Sequence, residues 1–325
     1  MVIYLDQCAI SGLAINGKCC QHKERLRNLL LKAHQDGMIV CPVPHETILE
    51  TIGISSKQDR MTVYRLQCEL ADVGGQLVAF KSIHKLINEE SLAIARGLKH
   101  PSCFELIAWH SVDDDRLAQQ HWNNLVRAKD AMKTRFSILC ADIDACSLNL
   151  NDARQGIVKE HAFHVLRQIE RLEKCLHPTR EDHMHMGFDL ACFLQGQRLS
   201  EIELARLKEA IINRKWEAIP VIWYRGLLAA GREVNYRSPM PKQYDVNDEI
   251  DIPRMAVAMN SATVCITDRS MAALCNSVNK AMSAMSKKAR IDDWEPKAVF
   301  AIGDASNAAD FIEAALARLE DEAGT

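Results

Sequence analysis

Apolar and polar positions alternate along this chain in a way that changes character twice. Val2 to Leu5 is a short β-branched and aromatic run ending at Asp6, the pattern of a buried strand in a parallel sheet. Leucines at helical spacing from Lys23 to Gln35, with basic residues between them, predict an amphipathic helix closed by Gly37. A second apolar run, Met38 to Val43, leads into a helix over His45 to Ile52. Gln58 to Ala71 predicts another helix, Gly74 and Gly75 end it, and Gln76 to Phe80 follows as a third short strand. Strand–helix alternation of this kind implies a parallel sheet with crossover helices.

From about Lys85 the pattern turns to long helical stretches, such as Arg116 to Phe136 and Ile157 to Leu176. Ser200 and Glu203 form a capping box for a helix running to about Asn213. Beyond the polar loop at 232–247 the alternation returns. Ile250 to Asn260 reads as a helix, Thr263 to Ile266 as a strand, and Ser270 to Met285 as a helix. Ala298 to Ile302 then reads as a last strand, and Ala305 to Leu319 as a C-terminal amphipathic helix. The expected organisation is one α/β domain built from 1–84 and 241–325, with a mostly α-helical insertion over 85–240 between its halves.

Composition narrows the function classes. The 325 residues include 48% hydrophobic and 26% charged positions, enough apolar material for a packed core. The formal charge of -3 offers no global basic field, so any nucleic-acid surface must be a local patch. No stretch approaches the roughly 20 apolar residues of a membrane span, and the start does not read as a signal peptide. The 12 cysteines include no Cys-x-x-Cys pair, so they read as free thiols in a reducing, cytoplasmic setting.

The informative residues are acids at strand ends. Asp6 follows the first strand, and Asp268 follows the strand Val264 to Ile266 behind Thr267. Glu46 and Glu50 lie one turn apart on the helix after the second strand. Asp251, near Asp245 and Asp248, opens the helix that leads into the Val264 strand. In an open parallel sheet the carboxyl ends of the strands line the ligand crevice. Acids converging there repel one another without a cation, and oxygen donors suit hard ions such as Mg²⁺ or Mn²⁺. Taken singly, each acid also fits a helix N-cap or a solvated charge.

These residues carry a resemblance. MVIYLDQCAIS resembles the opening strand of the PIN-domain metal-dependent nucleases, and VPHETILETIG is similar to that family's second motif. DIPRMAVAMNSATVCITDRSM resembles its third and fourth. The resemblance implies a PIN-like three-layer α/β/α fold with a central parallel sheet. It implies Asp6, Glu50, Asp251 and Asp268 as catalytic metal ligands for Mg²⁺ or Mn²⁺, with Glu46, Asp248, Thr267 and His45 as auxiliaries. It also implies a nuclease that acts on RNA in preference to DNA, of the kind found among toxin and defence proteins. Gln7 and Cys8 depart from the family pattern after the first acid, and the long insertion departs from its compact members.

Other constellations point elsewhere or nowhere. Arg269, Lys280, Lys287, Lys288 and Arg290 are candidate phosphate contacts, with Lys81 and Lys85 after the third strand; each is also an ordinary solvated charge. His161 and His164, and His183 and His185, lack the surrounding Glu of a zinc motif. No phosphate-binding glycine loop and no Gly-x-Ser-x-Gly elbow is present. The alternatives to a nuclease are an inactive PIN-like scaffold whose insertion binds a protein partner or a second copy, and an unrelated phosphoesterase. The phosphoesterase lacks an Asp-x-Asp pair, because position 8 is Cys8.

Overall fold

The computed structural model describes residues 1–15, 20–107, 123, 199–214, 219–221, 224, 225, 227, 228, 232, 248–289 and 295–323. The expected helices over 116–136 (Asn123 apart) and 157–176, His161, His164, His183, His185 and Arg290 lie outside the described residues, as do the side chains of Lys287 and Lys288. The chain is a mixed α/β protein, mostly helical among the described residues, with a three-stranded parallel sheet. It divides into two compact units. One comprises Met1–Phe80, Phe104–Cys140 and Ser261–Thr325, and the other Lys81–Cys103 and Ala141–Asn260.

The first unit is built on β1 (Ile3–Leu5), followed by α1 (Gln7–Ala14), α2 (Gln21–Gln35), β2 (Val43–Pro44), α3 (His45–Ile52), α4 (Lys57–Ala71), β3 (Asp72–Val73) and β4 (Gln76–Phe80). Strand β5 (Phe104–Ile107) runs antiparallel along β4, so Phe104 onward groups with this unit, although the sequence reading assigned it to the insertion. Between β3 and β4, Gly74 and Gly75 take φ of 66° and 87°. Two successive positive φ values make a tight hairpin turn that L side chains resist, so the two glycines reverse the chain between β3 and β4, whereas the helix already ends at Ala71 with Asp72 extended. The short strand β3 was not legible in the sequence because two residues give no periodicity.

Parallel pairing sets the topology. Ile3, Tyr4 and Leu5 of β1 lie opposite Val264, Cys265 and Ile266 of β6 (Val264–Thr267), and β6 in turn pairs parallel with β7 (Ala298–Ala301). On its other edge β1 meets the segment carrying β2 through the parallel bridge Val2–Val40, and β2 pairs parallel with β4. The parallel path therefore reads β4, β2, β1, β6, β7. Successive strands run outward to one side of β1 and then resume on the other, so the order reverses between β1 and β6.

Side-chain alternation divides the core. Ile3, Leu5, Val264 and Ile266 pack with Leu13, Leu26, Leu30 and Leu66 from α1, α2 and α4, and with Ile312 from α9 (Ala305–Ala323). Each such fully buried side chain contributes about 1.5–3 kcal/mol. Tyr4 alternates away from them and packs edge-on to Phe80 with ring centroids 5.9 Å apart. Helix α8 (Arg269–Ala289) packs on β6 and β7, and Asn279 fastens it by donating to the Lys297 carbonyl at 2.8 Å. The buried thiols behave as small hydrophobes: burial pushes Cys41 and Cys265 up to about 12 and Cys68 up to about 11. No helix among the described residues is long and apolar enough to cross a membrane.

The second unit includes α5 (Ile83–Arg96), α6 (Glu201–Arg214) and most of α7 (Asp248–Ser261). The expected capping box is present: Glu203 Oε2 accepts from the Ser200 backbone N at 2.7 Å, and Ser200 Oγ accepts from Glu203 N at 3.3 Å. Helices α5 and α6 pack together, and Arg206 donates to the Ala95 carbonyl at 3.0 Å. Glu90 on α5 is 4% exposed, and its Oε2 accepts no hydrogen bond among the described residues. Burial raises its carboxyl to about 7, opposed only by a hydrogen bond from Asn260.

That upward shift fixes a sign. The folded chain holds the Glu90 proton more tightly than the unfolded chain, so stability falls as pH rises from the ordinary value of 4.5 through about 7. In Glu90→Gln this fall disappears, and the Gln variant gains on the wild type as pH rises through that window. Thermal unfolding of both proteins between pH 5 and 8 measures it.

Candidate functional site

Asp6 stands where β1 becomes α1. Extending the parallel register by one residue sets it opposite Thr267, and the fully buried Thr267 hydroxyl donates to Asp6 Oδ2 at 2.8 Å. The other carboxylate oxygen, Oδ1, caps α1 by accepting from Gln7 N at 2.7 Å. Asp6 N also donates to the Ile266 carbonyl at 3.0 Å, so both backbone and side chain hold this corner.

Asp268 sits at the equivalent corner of β6 and α8. Its Oδ1 accepts from Ser270 N at 2.7 Å and from Met271 N at 3.0 Å. The first turn of α8 is capped in this way, and Oδ2 accepts no hydrogen bond among the described residues. Asp268, Asp6 and Cys8 each present a ligand atom, and the three atoms lie within 4.8 Å of one another. Cys8 is exposed on the first turn of α1, and its thiol donates weakly to Asp6 Oδ2 at 3.8 Å.

 Two carboxylates and a thiol thus converge where the strand order reverses, at the carboxyl ends of adjacent parallel strands, the position at which open α/β sheets bind their ligands.

The remaining sequence candidates are placed as follows. Glu50 lies on α3, half-buried, and is not one of the three groups that converge. A polar network ties its helix to α1: Thr51 Oγ1 lies 3.1 Å from Gln7 Oε1 and accepts from Gln67 Nε2 at 2.9 Å. Gln7 therefore joins α1, α3 and α4 immediately beside Asp6. The side chains of His45, Glu46 and Asp248 lie outside the described residues. Asp251 belongs to the second unit, where it forms an ion pair with the buried Arg254 one turn along α7. Arg269 and Lys280 are exposed on α8, whereas Lys81 is engaged by Glu89 at 2.6 Å.

Two Oδ atoms held this way fit a small divalent cation. Donor atoms within 4.8 Å of one another are near the reach of one Mg²⁺ or Mn²⁺, whose oxygens at roughly 2.0–2.1 Å lie no more than about 4.2 Å apart. The group missed by sequence reasoning is Cys8, which entered only as a departure from a family pattern. Its signal was positional: two residues after a helix-capping acid, a side chain on the first turn stays near the cap. In comparisons with family models, curated proteins and solved structures, the chain matches none.

Two substitutions test the local architecture. Asp268→Ala removes the α8 cap and is expected to cost about 0.5–2 kcal/mol, whereas Asp268→Asn retains an acceptor and costs less. Thr51→Val leaves the buried Gln67 amide only its 3.4 Å contact with Gln7 Oε1 and is expected to cost about 1 kcal/mol. Chemical denaturation of each variant checks both values.

Proposed function

We propose that this chain is a divalent-metal-dependent nuclease with a PIN-like three-layer fold, cleaving phosphodiester bonds in RNA. The observation that carries the reading is the meeting of Asp6 and Asp268 at the reversal of strand order. The motif resemblance supports it independently, because Asp6, Thr267 and Asp268 are the matching positions that adjoin in the fold.

A bound Mg²⁺ or Mn²⁺ supplies an activated water and neutralises charge developing on the phosphate. The chain's own residues prepare for this. Thr267 holds Asp6 Oδ2 in place, and the α1 and α8 first turns hold Oδ1 of Asp6 and of Asp268. Neither carboxylate needs to reorganise far, and fixed donors at the reacting centre are what make electrostatic catalysis effective. Arg269, exposed beside Asp268, would supply a positive charge for a nucleic-acid backbone. Glu50 would join from α3, whose position is set by the Gln7–Thr51–Gln67 network. Nothing in this chemistry needs the 2′-hydroxyl, so the preference for RNA comes from the resemblance alone.

A non-catalytic scaffold is the second reading. The observation favouring it is that Asp6 and Asp268 are both working N-caps, which alone accounts for acids at those positions. The two readings part in one experiment. Labelled single-stranded RNA and DNA are incubated with the purified chain in Mn²⁺, in Mg²⁺ or in EDTA, beside Asp6→Asn and Asp268→Asn. The nuclease reading expects RNA cleavage that needs the ion and falls at least about 100-fold in either variant. Cleavage that survives EDTA or both substitutions sinks the carboxylate–metal mechanism, and no cleavage by the wild type favours the scaffold.

A further inference from the structure

Building on the proposed metal site, we infer that Cys8 is its third protein ligand, and that its thiolate turns the site from Mg²⁺ toward softer divalent ions such as Co²⁺ and Zn²⁺. Three observations combine. The Cys8 sulfur, an Asp6 oxygen and an Asp268 oxygen lie within 4.8 Å of one another, so one ion can reach all three. Cys8 is exposed, unlike the buried Cys41, Cys68, Cys265 and Cys275, and so it lies at the surface and not in the core. The sulfur already faces Asp6 Oδ2 at 3.8 Å, the oxygen that Thr267 also holds.

The chemistry of that donor set is selective. Mg²⁺ takes hard oxygen ligands and keeps several waters, whereas a thiolate favours softer ions. Two carboxylates and a thiolate would carry three negative charges around one dication, a balance that favours strong metal binding, whereas without the ion the thiol keeps its proton and donates to Asp6. On binding, the Cys8 S–H gives its proton to solvent and the sulfur bonds to the ion, so uptake releases a proton. An oxygen-only site would release none from this position and would discriminate less strongly against Mg²⁺.

Titration of the full-length chain with Co²⁺ tests the assignment directly, because thiolate ligation gives a sulfur-to-cobalt charge-transfer absorption that carboxylates do not. The expected result is one Co²⁺ per chain with that absorption, displaced by Zn²⁺ but not by a large excess of Mg²⁺. Cys8→Ser should abolish the absorption and weaken Zn²⁺ binding at least about tenfold, while Cys8→Asp should shift the preference toward Mg²⁺. Unchanged circular dichroism and Tm show that both variants fold. Absorption that persists in Cys8→Ser, or unchanged Zn²⁺ affinity, overturns the role of Cys8; if Asp268→Asn still weakens binding, the carboxylate site survives it. Failure of the wild type to bind any of these ions overturns both. A Cys8-dependent absorption without RNA cleavage supports the ligand assignment and counts against the nuclease reading alone.

Discussion

The parallel pairing of β1 with β6 is the constraint on which the rest of this structure depends. It joins segments from the two ends of the chain: the Thr267 hydroxyl meets an Asp6 oxygen across 261 residues of sequence. Closing so long a loop costs conformational entropy before any contact repays it. The compensation comes from burial, because Ile3, Leu5, Val264 and Ile266 form one apolar face and gather α1, α2, α4 and α9 onto it. A three-residue strand has few ladder bonds, and this shared core gives it a unique register. A slip by one residue would turn Asp6 and Thr267 toward the apolar face.

At the carboxyl end of that pair, structure and chemistry use the same atoms. Each aspartate commits Oδ1 to the first turn of the following helix. The N-cap role and a metal role are compatible, because a carboxylate has two oxygens and the cap engages one of them. Cys8 reaches the same corner because the capping geometry of Asp6 begins α1 at Gln7 and puts residue 8 on its first turn.

The second unit shows a different balance of charge. Its Asp251 is neutralised by a buried arginine, and its Glu90 is buried with an oxygen that lacks a hydrogen bond among the described residues. A buried carboxyl in that condition favours the protonated form, which ties this unit's stability to pH near neutrality. An acid's consequence thus depends on its neighbours more than on its type: Asp251 faces a guanidinium, Glu90 is buried with one hydrogen bond from Asn260, and Asp6 meets a hydroxyl and a backbone amide.

Local order was legible in the sequence because it rests on local physics. The abrupt stop of apolar runs at Asp6 and Asp268, the Ser200–Glu203 capping box and the closure of α2 by Gly37 all arise within a few residues, so periodicity and capping chemistry reveal them. So do the acids that stand at strand ends, which the sequence identifies as candidates without saying which of them meet. Tertiary structure decided the rest. Only the strand order brings Asp6 to Asp268 and adds Cys8, and only the packing of α1, α3 and α4 makes Gln7, Thr51 and Gln67 one network. The grouping of β5 with β4 and the burial of Glu90 were equally invisible, since both depend on partners distant in sequence. Hydrophobic pattern and capping encode each element's shape. Which elements become neighbours is settled by the packing of the whole chain, where no short-range pattern reaches.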